Sequence, residues 1–198
     1  MEKVNAQEQA TATVQRGGGN TEGVEAHGRY VVKCFGSDGS LKWEDIIDNV
    51  VCTEGRQANL QHFLKGSAYT AAQVMGLIGN VTYSAPVAGN TAANINTTGS
   101  ANNWNESTSG VSATRQTPSF NNASGGTISL SSNASFSITG SDTINGVFVL
   151  CRSSAGVAPT TAVGNTSGAI WSAGAFTGGA KAVTNGDTLS VSYSATLS

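Results

Sequence analysis

Period-two alternation of apolar and polar residues is the feature that most constrains the fold of this 198-residue chain. Near its end, every second position is apolar, at Leu189, Val191, Tyr193, Ala195 and Leu197. Shorter alternating runs cover residues 127–130 and 134–138. Because successive side chains of a strand point to opposite faces, this pattern is typical of strands with one buried face. It predicts a mainly β chain.

Continuous apolar runs and turn signals complete the predicted architecture. Residues 73–78, which are apolar after Gln73, and residues 147–151 form runs without polar alternation, which is typical of strands buried on both faces. Residues 36–40 predict a five-residue hairpin loop, and Asn185-Gly186 predicts a tight hairpin because this pair readily adopts positive φ angles. Short strands separated by Gly and Asn turns predict an antiparallel β-sandwich or jelly roll.

One short helix is predicted between these strands. Thr53 is a suitable N-cap for a helix over residues 54–65, and Gly66 is a suitable stop. The apolar stripe of this helix, which we expect to face the core, consists of Leu60, Phe63 and Leu64. The polar stretch 84–103 is predicted to be a long loop, of a length that usually serves a function or binds something.

The N-terminal residues differ from the rest in composition. Residues 1–27 contain no aromatic side chain and include Gly17-Gly18-Gly19, so they do not bury enough apolar area to fold alone. We therefore predict an extended N-terminal arm over residues 1–27 and a β-sandwich domain over residues 28–198.

The charge content excludes several classes of protein. Charged residues make up only 11% of the chain and its net charge is -2, so the basic surface that nucleic-acid binding needs is lacking. No apolar run is long enough for a membrane span, and the N-terminus lacks the apolar core of a signal peptide. We expect no nucleic-acid or membrane partner, synthesis in a cytoplasm, and a weakly charged surface suited to packing against neighbours.

The sequence offers little catalytic chemistry. Its three cysteines, at an odd count and without paired spacing, predict reduced thiols rather than disulfides or a zinc site. Cys52 and His62 lack a third group to orient them as a nucleophile and base. Glu44 and Asp45 are adjacent on a strand, so they face opposite sides and do not form a hydrolytic pair. We predict no catalytic residues, no cofactor and no metal.

Tryptophans are the remaining candidates for a binding role. Trp43 and Trp171 are predicted to fill the core. Trp104 lies in a polar stretch, Asn102-Asn103-Trp104-Asn105-Glu106, and is therefore predicted to contact a partner.

Several short motifs, taken in order, resemble a known family. They are Trp43-Glu44-Asp45, Gly66-Ser67-Ala68-Tyr69-Thr70-Ala71, Trp104-Asn105-Glu106, Thr143-Ile144-Asn145-Gly146-Val147-Phe148 and Asn185-Gly186-Asp187-Thr188-Leu189. Over residues 28–198 this succession resembles a widespread family of small virion proteins of tailed bacteriophages. The resemblance implies a β-sandwich or jelly-roll structural protein of the virus particle, most like a capsid cement or decoration protein, and it brings no catalytic residues.

The leading functional hypothesis follows from this resemblance and from the sparse charge. We expect a non-enzymatic cement protein on the capsid surface, assembled in the bacterial host cytoplasm, that bridges neighbouring major capsid protein subunits. Its partners would be the major capsid protein and other copies of itself, as a dimer or a trimer. The predicted contact residues are Val4, Val14, Arg16, Arg29, Trp104 and Arg115.

Two alternatives remain open at the level of sequence. The first is a tail, neck or fibre-associated virion protein that helps attachment to the host surface, with glycan recognition by the loop of Trp104. The second is a glycan hydrolase, which would need converging acidic residues that the sequence does not display.

Overall fold

The computed structural model describes residues 24–66, 70–96, 104–108 and 114–198 and is mainly β. Its strands are β1 (Ala26–Phe35), β2 (Leu41–Asp48), β3 (Val50–Val51), β4 (Val74–Gly79), β5 (Thr127–Ser129), β6 (Ala134–Ser137), β7 (Asp142–Cys151), β8 (Ala169–Ala175), β9 (Lys181–Val183) and β10 (Thr188–Leu197). The α-helix, α1, spans Thr53–Phe63, and a 3₁₀ turn spans Ala92–Asn94.

These strands form two antiparallel sheets of five strands each. Sheet I has the order β2-β1-β10-β5, and β6 pairs with β10 as well. Sheet II has the order β3-β8-β7-β4, and β9 pairs with β7. The predicted antiparallel β-sandwich with one short helix is confirmed, while the jelly-roll topology stays a prediction.

The main core lies between the two sheets. Tyr30 and Val191 of sheet I pack in one cluster with Leu77, Val147 and Val149 of sheet II. Along β10 the predicted alternation is confirmed from Leu189 to Ala195, where the apolar side chains are buried and the serines between them are half-buried, whereas Leu197 at the end of the strand is exposed. Full burial of a large apolar side chain contributes about 1.5–3 kcal/mol, so this cluster is the main source of stability.

A second core covers the outer face of sheet II. Ile78 of β4 and Phe148 of β7 pack there against Ile95 and Trp104, which come from loops. The strands β4 and β7 are apolar at consecutive positions because both of their faces pack against a core. The prediction that these strands are buried on both faces is confirmed. The predicted loop 84–103 contains the 3₁₀ turn, and its residues 97–103 lie outside the described part of the chain.

The first predicted hairpin is confirmed and the second is wrong. Residues 36–40 join β1 to β2, with Gly39 at a φ of 79°. At the second site, Gly186 has a φ of 90° and the chain turns, but β9 pairs with β7 of sheet II and β10 pairs with β1 of sheet I. The turn therefore connects the two sheets, because β10 gains ten paired positions along β1, far more than a short hairpin with β9 offers.

The first described strand begins slightly before the predicted domain boundary. Ala26 and His27 belong to β1, and the Glu25 amide donates to the Ser198 carbonyl at 2.8 Å. Two residues assigned to the arm are therefore part of sheet I. The division into an arm and a domain stays a prediction, since residues 1–23 lie outside the described residues.

Within the described ranges, none of the helical segments has the length and the apolar content that crossing a membrane requires.

Asp187 fastens the turn between the sheets to β2. Its carboxylate accepts hydrogen bonds from Lys42 Nζ at 2.6 Å and from the Thr184 amide at 2.9 Å. Burial raises the pKa of Asp187, but the hydrogen bond from Lys42 and those from Thr184 outweigh it, so the pKa lies below its ordinary value. A depressed pKa means that this carboxylate stabilises the fold in its ionised form.

We predict that Asp187→Ala lowers the free energy of unfolding at pH 7 by about 1–2 kcal/mol, the discounted value of charge-assisted hydrogen bonds to a half-exposed lysine. The difference from the wild type should shrink as the pH falls below about 3.9, the ordinary pKa of an aspartate, because protonation removes the same interaction. Urea unfolding at several pH values measures the loss of unfolding free energy at pH 7 and its decrease at lower pH. Asp48→Ala, which removes an exposed partner of Arg29, is the matched control and should change stability by less than about 1 kcal/mol. Equal losses in the two variants would contradict the prediction.

Candidate functional site

Helix α1 leaves its large apolar side chains on the surface. Leu60, Phe63 and Leu64 are 58%, 81% and 72% exposed, whereas the helix buries Gly55 and Ala58. The prediction that this apolar stripe faces the core is therefore wrong. The predicted helix bounds also change, because Cys52 rather than Thr53 is the N-cap residue and the helix ends at Phe63.

The orientation of α1 follows from how closely it approaches β8. A Cβ atom at Gly55 would lie 2.6 Å from Trp171 Cα and 2.7 Å from the Ile170 carbonyl oxygen, so only glycine fits there. The Glu54 carboxylate accepts the Ile170 amide of β8 at 2.8 Å, and the Cys52 amide donates to the Trp171 carbonyl at 2.9 Å. The helix thus covers backbone groups of a sheet edge with its smallest side chains, and the larger ones point away.

An apolar cavity of about 450 Å³ opens beside the same helix. Both sheets and α1 contribute to its wall, which includes Phe63, Phe120, Ile128, Val149, Trp171 and Ala195. Its volume is in the range of about 300–1,000 Å³ that is usual for binding pockets, and its apolar lining favours an apolar occupant.

Uncharged hydrogen-bonded side chains lie next to this cavity. Tyr193 lines it, and its hydroxyl accepts a hydrogen bond from Trp171 Nε1 at 2.7 Å. The Tyr193 ring stacks on Tyr30, with 4.6 Å between ring centroids, and the Tyr30 hydroxyl lies 2.5 Å from Ser172 Oγ. Burial raises the pKa of Tyr30 and of Tyr193, so both hydroxyls are neutral at physiological pH.

The predicted contact residues fall into three groups. Val4, Val14 and Arg16 lie outside the described residues. Arg29 is exposed on β1, where its Nε donates to Asp48 Oδ1 at 2.8 Å. Trp104 and Arg115 are buried, so the structure does not bring the described members of this set together on one surface.

Trp104 is only 1% exposed, which makes its assignment to a partner contact wrong. It packs beside Phe148 on the outer face of sheet II, with 6.4 Å between ring centroids. The polar neighbours of Trp104 in the sequence indicated a surface loop. However, the loop folds back over the sheet because the outward-facing apolar side chains of β7 need a cover.

Arg115 is also wrongly assigned, because it forms an ion pair within the chain. Its Nε and Nη2 donate to the two carboxylate oxygens of Glu106 at 2.8 and 2.7 Å, and both side chains are fully buried. Further bonds from Arg115 reach the Asn165 and Thr160 carbonyls, and its guanidinium carbon lies 5.5 Å from the centroid of the Phe148 ring. This pair therefore joins the connection between β4 and β5, which contains Glu106 and Arg115, to the loop between β7 and β8.

We predict that Glu106→Gln lowers the free energy of unfolding by about 3–5 kcal/mol, because it leaves the buried Arg115 charge uncompensated. The double variant Glu106→Gln with Arg115→Met should recover much of this loss, since it removes the unpaired charge. Glu44→Gln is the control, because Glu44 pairs with Lys33 in an exposed position, and it should cost less than about 1 kcal/mol. Urea unfolding of all three variants provides the measurement, and a loss in Glu106→Gln no larger than in Glu44→Gln would refute it.

The three cysteine thiols lie in surroundings that keep them protonated. Burial raises the pKa of Cys52 and of Cys151 to about 12 and that of Cys34 to about 11, so all three thiols stay protonated at neutral pH. His62 lies 2.9 Å from the Ser153 carbonyl oxygen. In the described part of the chain, no three His, Cys, Asp or Glu side chains are grouped as metal ligands would be.

Comparisons of the chain with protein-family models, with curated proteins and with solved structures find no match. The candidate site is therefore defined by its own geometry, as the exposed ridge of α1 together with the adjoining cavity. The sequence did carry its signal, because the stripe of Leu60, Phe63 and Leu64 was evident. An apolar stripe on a helix predicts a core-facing surface, so the pattern alone does not reveal that this one is exposed.

Proposed function

We propose that this chain is a non-enzymatic structural protein of a tailed-bacteriophage virion. In this proposal it is a cement or decoration protein on the capsid surface that bridges neighbouring major capsid protein subunits and stabilises the shell. It is assembled in the cytoplasm of the bacterial host, and it also contacts other copies of itself as a dimer or a trimer.

The observation that carries the proposal is the uncovered apolar ridge of α1. Leu60 and Phe63 lie in the last turn of α1 and Leu64 is its C-cap residue, and Phe63 also lines the cavity. Soluble monomers rarely leave several large apolar side chains together on the surface, and such patches mark sites of protein contact. In a protein that is attached to a capsid shell, a partner subunit would cover this apolar surface.

The rest of the surface suits dense packing on a particle. The outer face of β10 carries Ser190, Ser192 and Ser194, and charged residues are 11% of the whole chain. Neighbouring copies with few charges repel one another little. Many weak contacts repeated over a symmetric shell add up to firm attachment, and a partner that binds only the assembled state stabilises it by mass action.

Cryo-electron microscopy of purified particles tests this proposal. We expect hundreds of copies on the head, each in contact with more than one major capsid protein subunit. A few copies at a vertex or on the tail would refute the cement role and favour the alternative role in host attachment.

The predicted arm gives a second test. We predict that removal of residues 1–23, which include Val4, Val14 and Arg16, weakens binding to particles while the sandwich stays folded. The cut is placed before β1, which begins at Ala26. Co-sedimentation with particles from a phage that lacks the gene measures binding, and thermal unfolding monitors the fold. Equal binding by the shortened and full-length proteins would rule out a role for the arm.

A further inference from the structure

Three cationic side chains surround the apolar ridge of α1. Arg56 lies one helical turn before Leu60, and Lys65 follows Leu64. Arg152, which directly follows β7, is half-buried and lines the cavity next to the helix, where its guanidinium also donates to the Thr70 and Gly156 carbonyls. Not one of the ion pairs formed between described residues involves these three side chains.

The one acidic residue of α1 does not compensate these charges at the surface. The Glu54 carboxylate is directed inward, where it accepts the Ala92 and Ile170 amides, each at 2.8 Å. A chain with a net charge of -2 therefore presents a locally positive surface around the exposed apolar ridge of α1.

We propose that this surface of α1 binds an acidic segment of the capsid shell subunit, an inference that rests on the proposed function. A large apolar side chain of that segment enters the cavity beside Phe63, and its neighbours cover Leu60 and Leu64. Carboxylates that flank the apolar side chain pair with Arg56, Lys65 and Arg152. Such an arrangement, with an apolar anchor in a pocket and charges at the rim, is typical of specific protein interfaces.

Charge argues against a second copy of this chain as the occupant. A two-fold contact through α1 would place the same surface of both copies face to face, so that Arg56 and Lys65 would meet cations of the partner. Like charges across an interface disfavour association.

The extent of the apolar surface argues against a small molecule. The cavity alone could hold one, but Leu60 and Leu64 lie outside its lining and would stay exposed. A polypeptide segment covers both the cavity and the ridge.

Particles from a phage that lacks the gene, mixed with the full-length protein, provide the test. The first variant, Leu60→Ser with Phe63→Ser, should reduce the affinity for particles at least about tenfold, as loss of anchoring apolar contacts does. The second, Arg56→Glu with Lys65→Glu, should reduce it about tenfold at low salt and weaken its dependence on salt. The control, Leu41→Ser with Ile46→Ser, removes similarly exposed apolar side chains of β2 and should bind within about twofold of the wild type.

The results distinguish a failure of this inference from a failure of the proposed function. If the wild type does not bind the particles, both are overturned. If it binds and the α1 variants bind equally well, the inference alone fails. Circular dichroism of every variant monitors the fold, which we expect to stay unchanged because all the substituted side chains are exposed.

A photoreactive amino acid at position 60 then identifies the occupant on the particle. Cross-linking to a segment of the shell subunit with a net negative charge and a large apolar residue supports the inference. Cross-linking to another copy of this chain, to a neutral or basic segment, or to nothing overturns it.

Discussion

Sheet II is buried on both faces, and much of the remaining structure follows from that constraint. Its inner face packs on sheet I. Its outer face is also apolar, and because no further sheet lies there in the described part of the chain, segments that are not strands cover it. Loops carrying Ile95 and Trp104 cover the face, and α1 covers the part of β8 that β3 leaves unpaired. These segments bring polar backbone groups into a buried region, where each group needs a partner within the chain.

Two acids, the buried Glu106 and the half-buried Glu54, supply several of those partners. Glu106 accepts hydrogen bonds from Arg115 and from the Gly164 amide, and Arg115 in turn donates to loop carbonyls. Glu54 does the same for α1, since it accepts one amide from β8 and one from the loop at Ala92. These two carboxylates therefore stabilise the segments that cover sheet II.

The same constraint produces the surface that we propose for binding. Because α1 must lie close to the backbone of β8, it turns Gly55 and Ala58 inward and leaves Leu60, Phe63 and Leu64 outside. The cavity beside Phe63 is lined by α1 and by strands of both sheets. A structural requirement of the sheet edge thus leaves an apolar ridge, a cavity and a rim of cations side by side, which is the combination that an acidic protein segment with an apolar anchor fits.

The sequence by itself determined most of the strands, although not β8, together with the first hairpin and the presence of one short helix. These depend on local patterns, namely the alternation along β10, the apolar runs of β4 and β7 and the turn residues, which act over a few neighbouring positions. Tertiary structure alone decided that β9 and β10 join different sheets, that α1 turns its stripe outward, and that Trp104 and Arg115 are buried. Each of these depends on what a segment packs against, and the competing partners, such as the ten paired positions of β1 or the backbone of β8, are distant in the sequence and meet only in the folded chain.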